Sequence, residues 1–195
     1  MERVTTDTSA AALADALAGH RTALATIESL SDDLGWAADL IARAFAADGR
    51  LLVCGNGGSA ADAQHIAAEF VGRYLKERSP FPALALNANS SAVTAIGNDY
   101  GFDEVFARQV RAHGRAGDVL LAITTSGDSP NVLRAVEAAH EAGLSVIGLT
   151  GRDGGALAAL CDVCLTVPVK STPRIQEAHI LIAHALCGLV EDALS

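Results

Sequence analysis

Leu51-Leu52-Val53-Cys54-Gly55-Asn56-Gly57-Gly58-Ser59-Ala60-Ala61-Asp62-Ala63-Gln64-His65-Ile66-Ala67-Ala68-Glu69 is the stretch whose reading decides the fold. An apolar strand runs into a glycine-rich turn, and the turn opens an alanine-rich helix. Such a junction presents backbone N–H groups to an anion or hydroxyl. The helix then places His65 and Glu69 four residues apart, on one face, where they can act as metal ligands or as acid and base. Packing alone does not call for this combination.

Outward from that junction, strand character returns in Ala83–Leu86, Val119–Thr124, Ser145–Leu149 and Val163–Val167, besides Leu51–Gly55 itself. Most are continuous apolar runs, as strands covered on both faces require. Helical periodicity fills the gaps: Leu133, Val136 and Ala139 recur at helical spacing before Ala142-Gly143 ends the pattern. Repeated strand–helix alternation predicts a parallel sheet with helices on both sides, a three-layer α/β/α sandwich. Two helical stretches, Thr6–Leu30 and Asp32–Ala47, precede the first strand. A long closing helix runs from Pro173 to Leu194. The 195 residues read as a single domain, 1–195, in which 1–48 form an N-terminal helical hairpin for oligomerisation.

Composition excludes several classes. The net charge is −9 and no basic stripe is present, which argues against nucleic acid as a partner. Half the residues are apolar, yet no apolar run reaches the roughly 18 residues that cross a bilayer. The polar N-terminus, Met1 to Ser9, lacks an apolar signal core, so a soluble, cytoplasmic protein is expected. Cys161 and Cys164 have CxxC spacing but no second pair to complete a zinc site. On a strand they would point to opposite faces, and all four cysteines read as inert thiols in a reducing compartment.

A second loop follows the third strand: Thr124-Thr125-Ser126-Gly127-Asp128-Ser129, then Pro130 at a helix start. Four hydroxyls gather at the carboxyl end of a parallel strand, the side where open α/β sheets bind ligands. A phosphate there gains hydroxyl donors and a helix N-terminus without lysine or arginine. The bland reading is an ordinary N-cap turn; its pairing with the Gly57-Gly58 loop on one sheet edge favours function.

The closing helix adds Gln176 and His184. On its apolar face His184 also reads as a core histidine, and Glu69 also reads as a partner for Arg73 at i+4. Gln176 and His184 are separated by about 12 Å of helical rise, too far to grip one ion from one helix. Either Gln176 lies in an irregular first turn or the ligands come from different chains, which makes a composite site between subunits.

Together GNGGSAADAQHIAAE (55–69), Asn98-Asp99-Tyr100, TTSGDS (124–129) and RIQEAH (174–179) resemble the sedoheptulose 7-phosphate isomerases, or phosphoheptose isomerases, of the SIS (sugar isomerase) domain family. The resemblance covers essentially the whole chain. It implies a flavodoxin-like five-stranded parallel sheet, a homotetramer with sites at subunit interfaces, and one zinc ion per subunit on His65, Glu69, Gln176 and His184. It implies Glu69 as base and His184 as acid, sugar contacts at Asn56, Gly57, Gly58, Ser59, Glu69, Asn98, Asp99 and Gln176, and phosphate contacts at Thr124, Thr125, Ser126 and Ser129. The implied reaction converts sedoheptulose 7-phosphate to D-glycero-D-manno-heptose 7-phosphate through an enediol, feeding heptose biosynthesis. Thr124 stands where the family commonly has serine, and Pro173 where some members carry aspartate. Glu69 cannot hold zinc tightly and serve as a free base at once; displacement by substrate is the favoured resolution. The contrasting expectation is a non-catalytic SIS tetramer of the replication-initiator-associating kind, in which the positions of Glu69 and His184 lack acid/base groups. A sugar-phosphate-sensing regulator would need a DNA-binding module for which no spare segment is visible.

Overall fold

The computed structural model describes residues 5–195, so Met1–Val4 of the polar N-terminus lie outside the described residues. The chain runs α1 (Thr6–Ile27), a 3-10 turn (Glu28–Leu30), α2 (Ser31–Ala46), β1 (Leu51–Gly55), α3 (Gly58–Val71), β2 (Ala83–Ala85) and α4 (Ser90–Tyr100). A second 3-10 turn (Phe102–Glu104) leads to α5 (Ala107–His113), β3 (Val119–Thr124), α6 (Pro130–Glu141), β4 (Ser145–Gly151), α7 (Gly155–Ala158), β5 (Val163–Val167) and α8 (Thr172–Leu194). All five strands are parallel, in the order β2-β1-β3-β4-β5. This is the flavodoxin-like order.

The apolar runs divide their side chains between two cores. Leu51, Val53, Leu121, Ile123, Ile147 and Leu149 face α2, α3 and α8. Leu52, Cys54, Leu120, Ala122 and Val146 face α5 and α6. Strand β5 alternates instead, with Val163, Leu165 and Val167 buried and Cys164 and Thr166 half-buried, because it closes the sheet at one edge. Helix α1 starts where the Thr5 hydroxyl caps the N–H of Thr8 (3.2 Å), and α4 where Asn89 caps Ala92 (3.1 Å). Helices α1 and α2 both lie against α8. Among the described residues, no helix is long and apolar enough to cross a membrane.

The cysteine reading needs correction. A methyl group placed on Gly148 would meet both Cys161 Sγ (2.6 Å) and Cys164 Sγ (3.0 Å), so the two sulfurs share one face. Cys161 lies two residues before β5, where strand alternation no longer governs the side chain. Cys54 and Cys187 are buried and their thiols are pushed up to about 12 by desolvation. Cys164 differs: the neighbouring Cys161 thiol, with help from Thr166 and Thr150, lowers it against the opposing effect of burial.

Candidate active site at the switch point of the sheet

Strands β1 and β3 are neighbours, with Gly55 opposite Ile123, but their following helices leave to opposite faces. The chain therefore opens a crevice at their carboxyl ends, the topological switch point where such folds bind ligands. Asn56, expected to touch sugar, is paired across this crevice with Asn131 by two reciprocal amide hydrogen bonds (2.8 and 2.9 Å). Asn131 is buried at the start of α6; its type and place right after Ser129-Pro130 were the only signal in the sequence.

On the β1 side, Gly57 has φ 56° and ψ −120°, a conformation that only glycine adopts without strain. No side chain caps α3, and the N–H groups of Ala60 and Ala61 turn back to the Gly57 carbonyl (3.1 and 3.3 Å), which leaves those of Gly58 and Ser59 at the open end of the helix. Gly58 is crowded by α8: an added methyl would overlap the Gln176 amide, with Cδ 2.7 Å away. Ser59 is buried beneath the turn.

On the β3 side, Ser129 occupies the N-cap of α6 with Pro130 in the first turn, as expected, but its hydroxyl does not cap the helix. It bonds instead to Thr124 Oγ1 (2.8 Å), which also meets Ser126 Oγ (3.3 Å). Ser126 accepts from the N–H of Asp128 (3.1 Å). Thr125 is half-buried beside them. The extra methyl of Thr124 is thus accommodated with its hydroxyl still inside the network.

The third component rises from α3 and α8. Ala63, Ile66, Ala67 and Phe70 bury one face of α3; fully burying a side chain such as Phe70 contributes about 1.5–3 kcal/mol. That anchoring turns His65 and Glu69 onto the flank toward α8. His65 Nε2 lies 3.0 Å from Glu69 Oε1 and 3.4 Å from His184 Nε2. The imidazoles of His65 and His184 meet edge to face at 5.0 Å. Glu69 therefore does not pair with Arg73, which reaches Glu77 (3.8 Å) instead, and His184 is half-exposed rather than a core histidine. The buried histidine of α8 is His179, whose Nε2 bonds the Thr150 carbonyl (2.9 Å) and whose value is lowered to about 4 by desolvation.

One ligand atom each from His65, Glu69 and His184 lies within 4.8 Å of the others. In tetrahedral zinc with bonds of about 2.0–2.1 Å, neighbouring ligand atoms stand about 3.3 Å apart. The 3.4 Å and 3.0 Å separations fit such a polyhedron. Gln176 is elsewhere. Contacts of Gln176 with Gly58, and of His184 with His65, show α3 and α8 running side by side in the same direction, so Gln176 sits about two turns from this cluster. Asn98 and Asp99 are also elsewhere: they lie exposed at the end of α4, bonded to each other (2.7 Å), with no hydrogen bond to either junction among the described residues.

Two more residues near the cluster carried no recognisable sequence signal. Tyr74 stacks on the His184 ring at 5.5 Å and 19°. Asp62, one turn before His65, has a buried Oδ2 without a partner among the described residues; burial raises its carboxyl and nearby His65 opposes the rise.

Fold and site together define a sugar-isomerase-type α/β domain, and a family model described as "SIS domain" matches residues 17–151. The chain belongs to the SIS domain family, and within it to the phosphoheptose isomerases. It is similar to the phosphoheptose isomerase of Rhodospirillum rubrum, 62% identical over 158 residues that span 81% of this chain and 84% of that one. Among solved structures, the phosphoheptose isomerase of Neisseria gonorrhoeae matches with a TM-score of 0.86 and 50% identity, over 95% of this chain and 98% of that one. A phosphoheptose isomerase from Francisella tularensis matches with a TM-score of 0.89 and 39% identity, over 97% of this chain and all of that one (100%).

Proposed function

We propose that this chain is an aldose–ketose isomerase that converts sedoheptulose 7-phosphate to D-glycero-D-manno-heptose 7-phosphate. The observation that carries the reading is the convergence of Glu69 and His184, from separate helices, on His65. The 62% identical relative named phosphoheptose isomerase points to the same reaction and away from a non-catalytic SIS assembly.

Isomerisation removes a proton from C1 of the ketose and returns one to C2. Glu69 is the base for the carbon-bound proton, and His184 moves a proton between the two oxygens. The N–H groups of the Gly57-Gly58 turn and the amide of Asn56 orient the sugar hydroxyls. Thr124, Thr125, Ser126 and Ser129 hold the phosphate at the start of α6, where neutral donors and the helix dipole compensate for the absence of lysine and arginine in the loop. Asn98 and Asp99 reach a sugar only at the site of a neighbouring copy.

His65, Glu69 and His184 would hold one zinc ion per subunit. Gln176, two turns away in its own chain, would join them from a neighbouring copy. When bound, zinc supplies a Lewis acid for the oxygen that gains charge. A cytoplasmic homotetramer accommodates this arrangement. Exposed Leu13, Leu17 and Trp36 on α1 and α2 give those helices apolar surface for a second copy to cover.

The deciding experiment incubates the purified protein with sedoheptulose 7-phosphate. The expected result is accumulation of the aldoheptose 7-phosphate, slowed by a chelator and restored by zinc. A folded, zinc-supplied protein that forms no aldoheptose overturns the reading.

A further inference from the structure

Behind the His184 ring lies a buried ion pair that the reaction does not touch. Glu191 stands seven residues after His184 on α8, two turns along the same face. Its carboxylate accepts hydrogen bonds from the backbone N–H of Tyr74 (3.1 Å), Leu75 (2.8 Å) and Lys76 (2.7 Å), and from Arg78 Nε (2.9 Å). The Arg78 guanidinium donates in turn to the carbonyls of Glu69 (2.9 Å) and Phe70 (2.9 Å), the last turn of α3. The two side chains are only 6% and 2% exposed. One ion pair therefore ties the backbone of Glu69, the strap that follows α3, and α8 into a single unit.

The strap delivers Tyr74 to His184. Its ring lies nearly parallel to the imidazole and extends over Gly188, one turn further along α8, where an added methyl would stand 3.5 Å from Tyr74 Cε1. His184 thus meets two rings, Tyr74 stacked on its face and His65 at a steep angle. A buried ion pair is a poor device for stability alone, since an apolar replacement is often neutral or better. As a device for fixing direction it is effective, because the carboxylate and guanidinium impose the geometry of each hydrogen bond.

We propose that Arg78 and Glu191 are positioning residues, acting through Tyr74 to hold the His184 imidazole in register with Glu69. The role rests on the isomerase reading above. Burial raises the Glu191 carboxyl, but the hydrogen bonds from Lys76, Leu75, Tyr74 and Arg78 outweigh it and bring it down to about 2. The Glu191 carboxylate therefore stays charged at neutral pH and exchanges no proton with the site.

Three variants test this: Tyr74→Leu, which removes the stacked ring; Tyr74→Phe, which keeps it; and Glu191→Gln, which loosens the strap. Each is assayed for kcat, KM, Tm and the imidazole NMR signals of His184. Tyr74→Leu is expected to lower kcat about tenfold to a hundredfold, the scale of a misplaced catalytic group, with KM nearly unchanged. Tyr74→Phe restores the wild-type kcat. Glu191→Gln lowers kcat in the same way and also lowers Tm. Wild-type kcat and unmoved His184 signals in Tyr74→Leu overturn the proposal, and so does an equal loss in Tyr74→Phe. If the wild-type protein forms no aldoheptose, the isomerase reading falls separately. The His184 signals in Glu191→Gln, which keeps the Tyr74 ring, still judge the positioning role: it stands if they move there and falls if they do not.

Discussion

The β1–α3 and β3–α6 junctions leave neighbouring strands at the same end of the sheet, yet they are built from opposite materials. The first is nearly bare: Gly57 turns the chain with positive φ, Gly58 leaves room for Gln176, and α3 has no side-chain cap. The second is clothed in hydroxyls that bond to one another, Thr124 to Ser129 and to Ser126. A bare junction admits groups from elsewhere, and the helix it opens carries His65 and Glu69. A clothed junction is complete within one loop. On the proposed reading chemistry and anchoring belong to different loops, and substitutions are expected to separate kcat from KM accordingly.

The largest effect is expected on the bare side. Glu69→Gln retains a hydrogen-bonding group toward His65 but removes the proposed base, so kcat is expected to fall about a hundredfold to ten-thousandfold. Tm moves by no more than about 2 °C, because the carboxylate lies on a flank outside the core. Retained turnover would show that the base lies elsewhere. Gly58→Ala sharpens the comparison: the residue has no positive φ, so the added methyl acts through the displaced Gln176 amide. Turnover is expected to fall about tenfold to a hundredfold with a small change in Tm. A variant as active as wild type would remove Gln176 from the site. On the clothed side, Ser129→Ala is expected to raise KM about tenfold, as for one lost hydrogen bond to a charged group, and to leave kcat within about twofold. A kcat defect there would break the division of labour.

Much of this was legible because it is local. All five strand segments form strands, and the i, i+4 spacing of His65 and Glu69 places them within hydrogen-bonding distance. Strand β2 stops one residue before the predicted Leu86, and β4 continues past Leu149 to Gly151, where the edges of the ladder rather than hydropathy decide. The remainder depends on partners far apart in the chain. Glu191 meets the strap across more than a hundred residues, and Asn131 meets Asn56 across 75. Periodicity on a single helix reports which side is apolar, not which distant backbone an acid will cap. Cys161 departs from expectation for a related reason: alternation does not extend two residues beyond the strand that supports it.

The reciprocal amide pair at the crevice also bears on how this molecule ages. Asn56 precedes Gly57, and the unhindered nitrogen of a following glycine readily attacks an asparagine side chain, turning it to aspartate. Bonds to Asn131 hold that side chain away from its own backbone. Chemical wear at the mouth of the sheet is thus restrained by a residue 75 positions away, and peptide mapping of stored Asn131→Ala protein should find Asn56 converted sooner than in wild type.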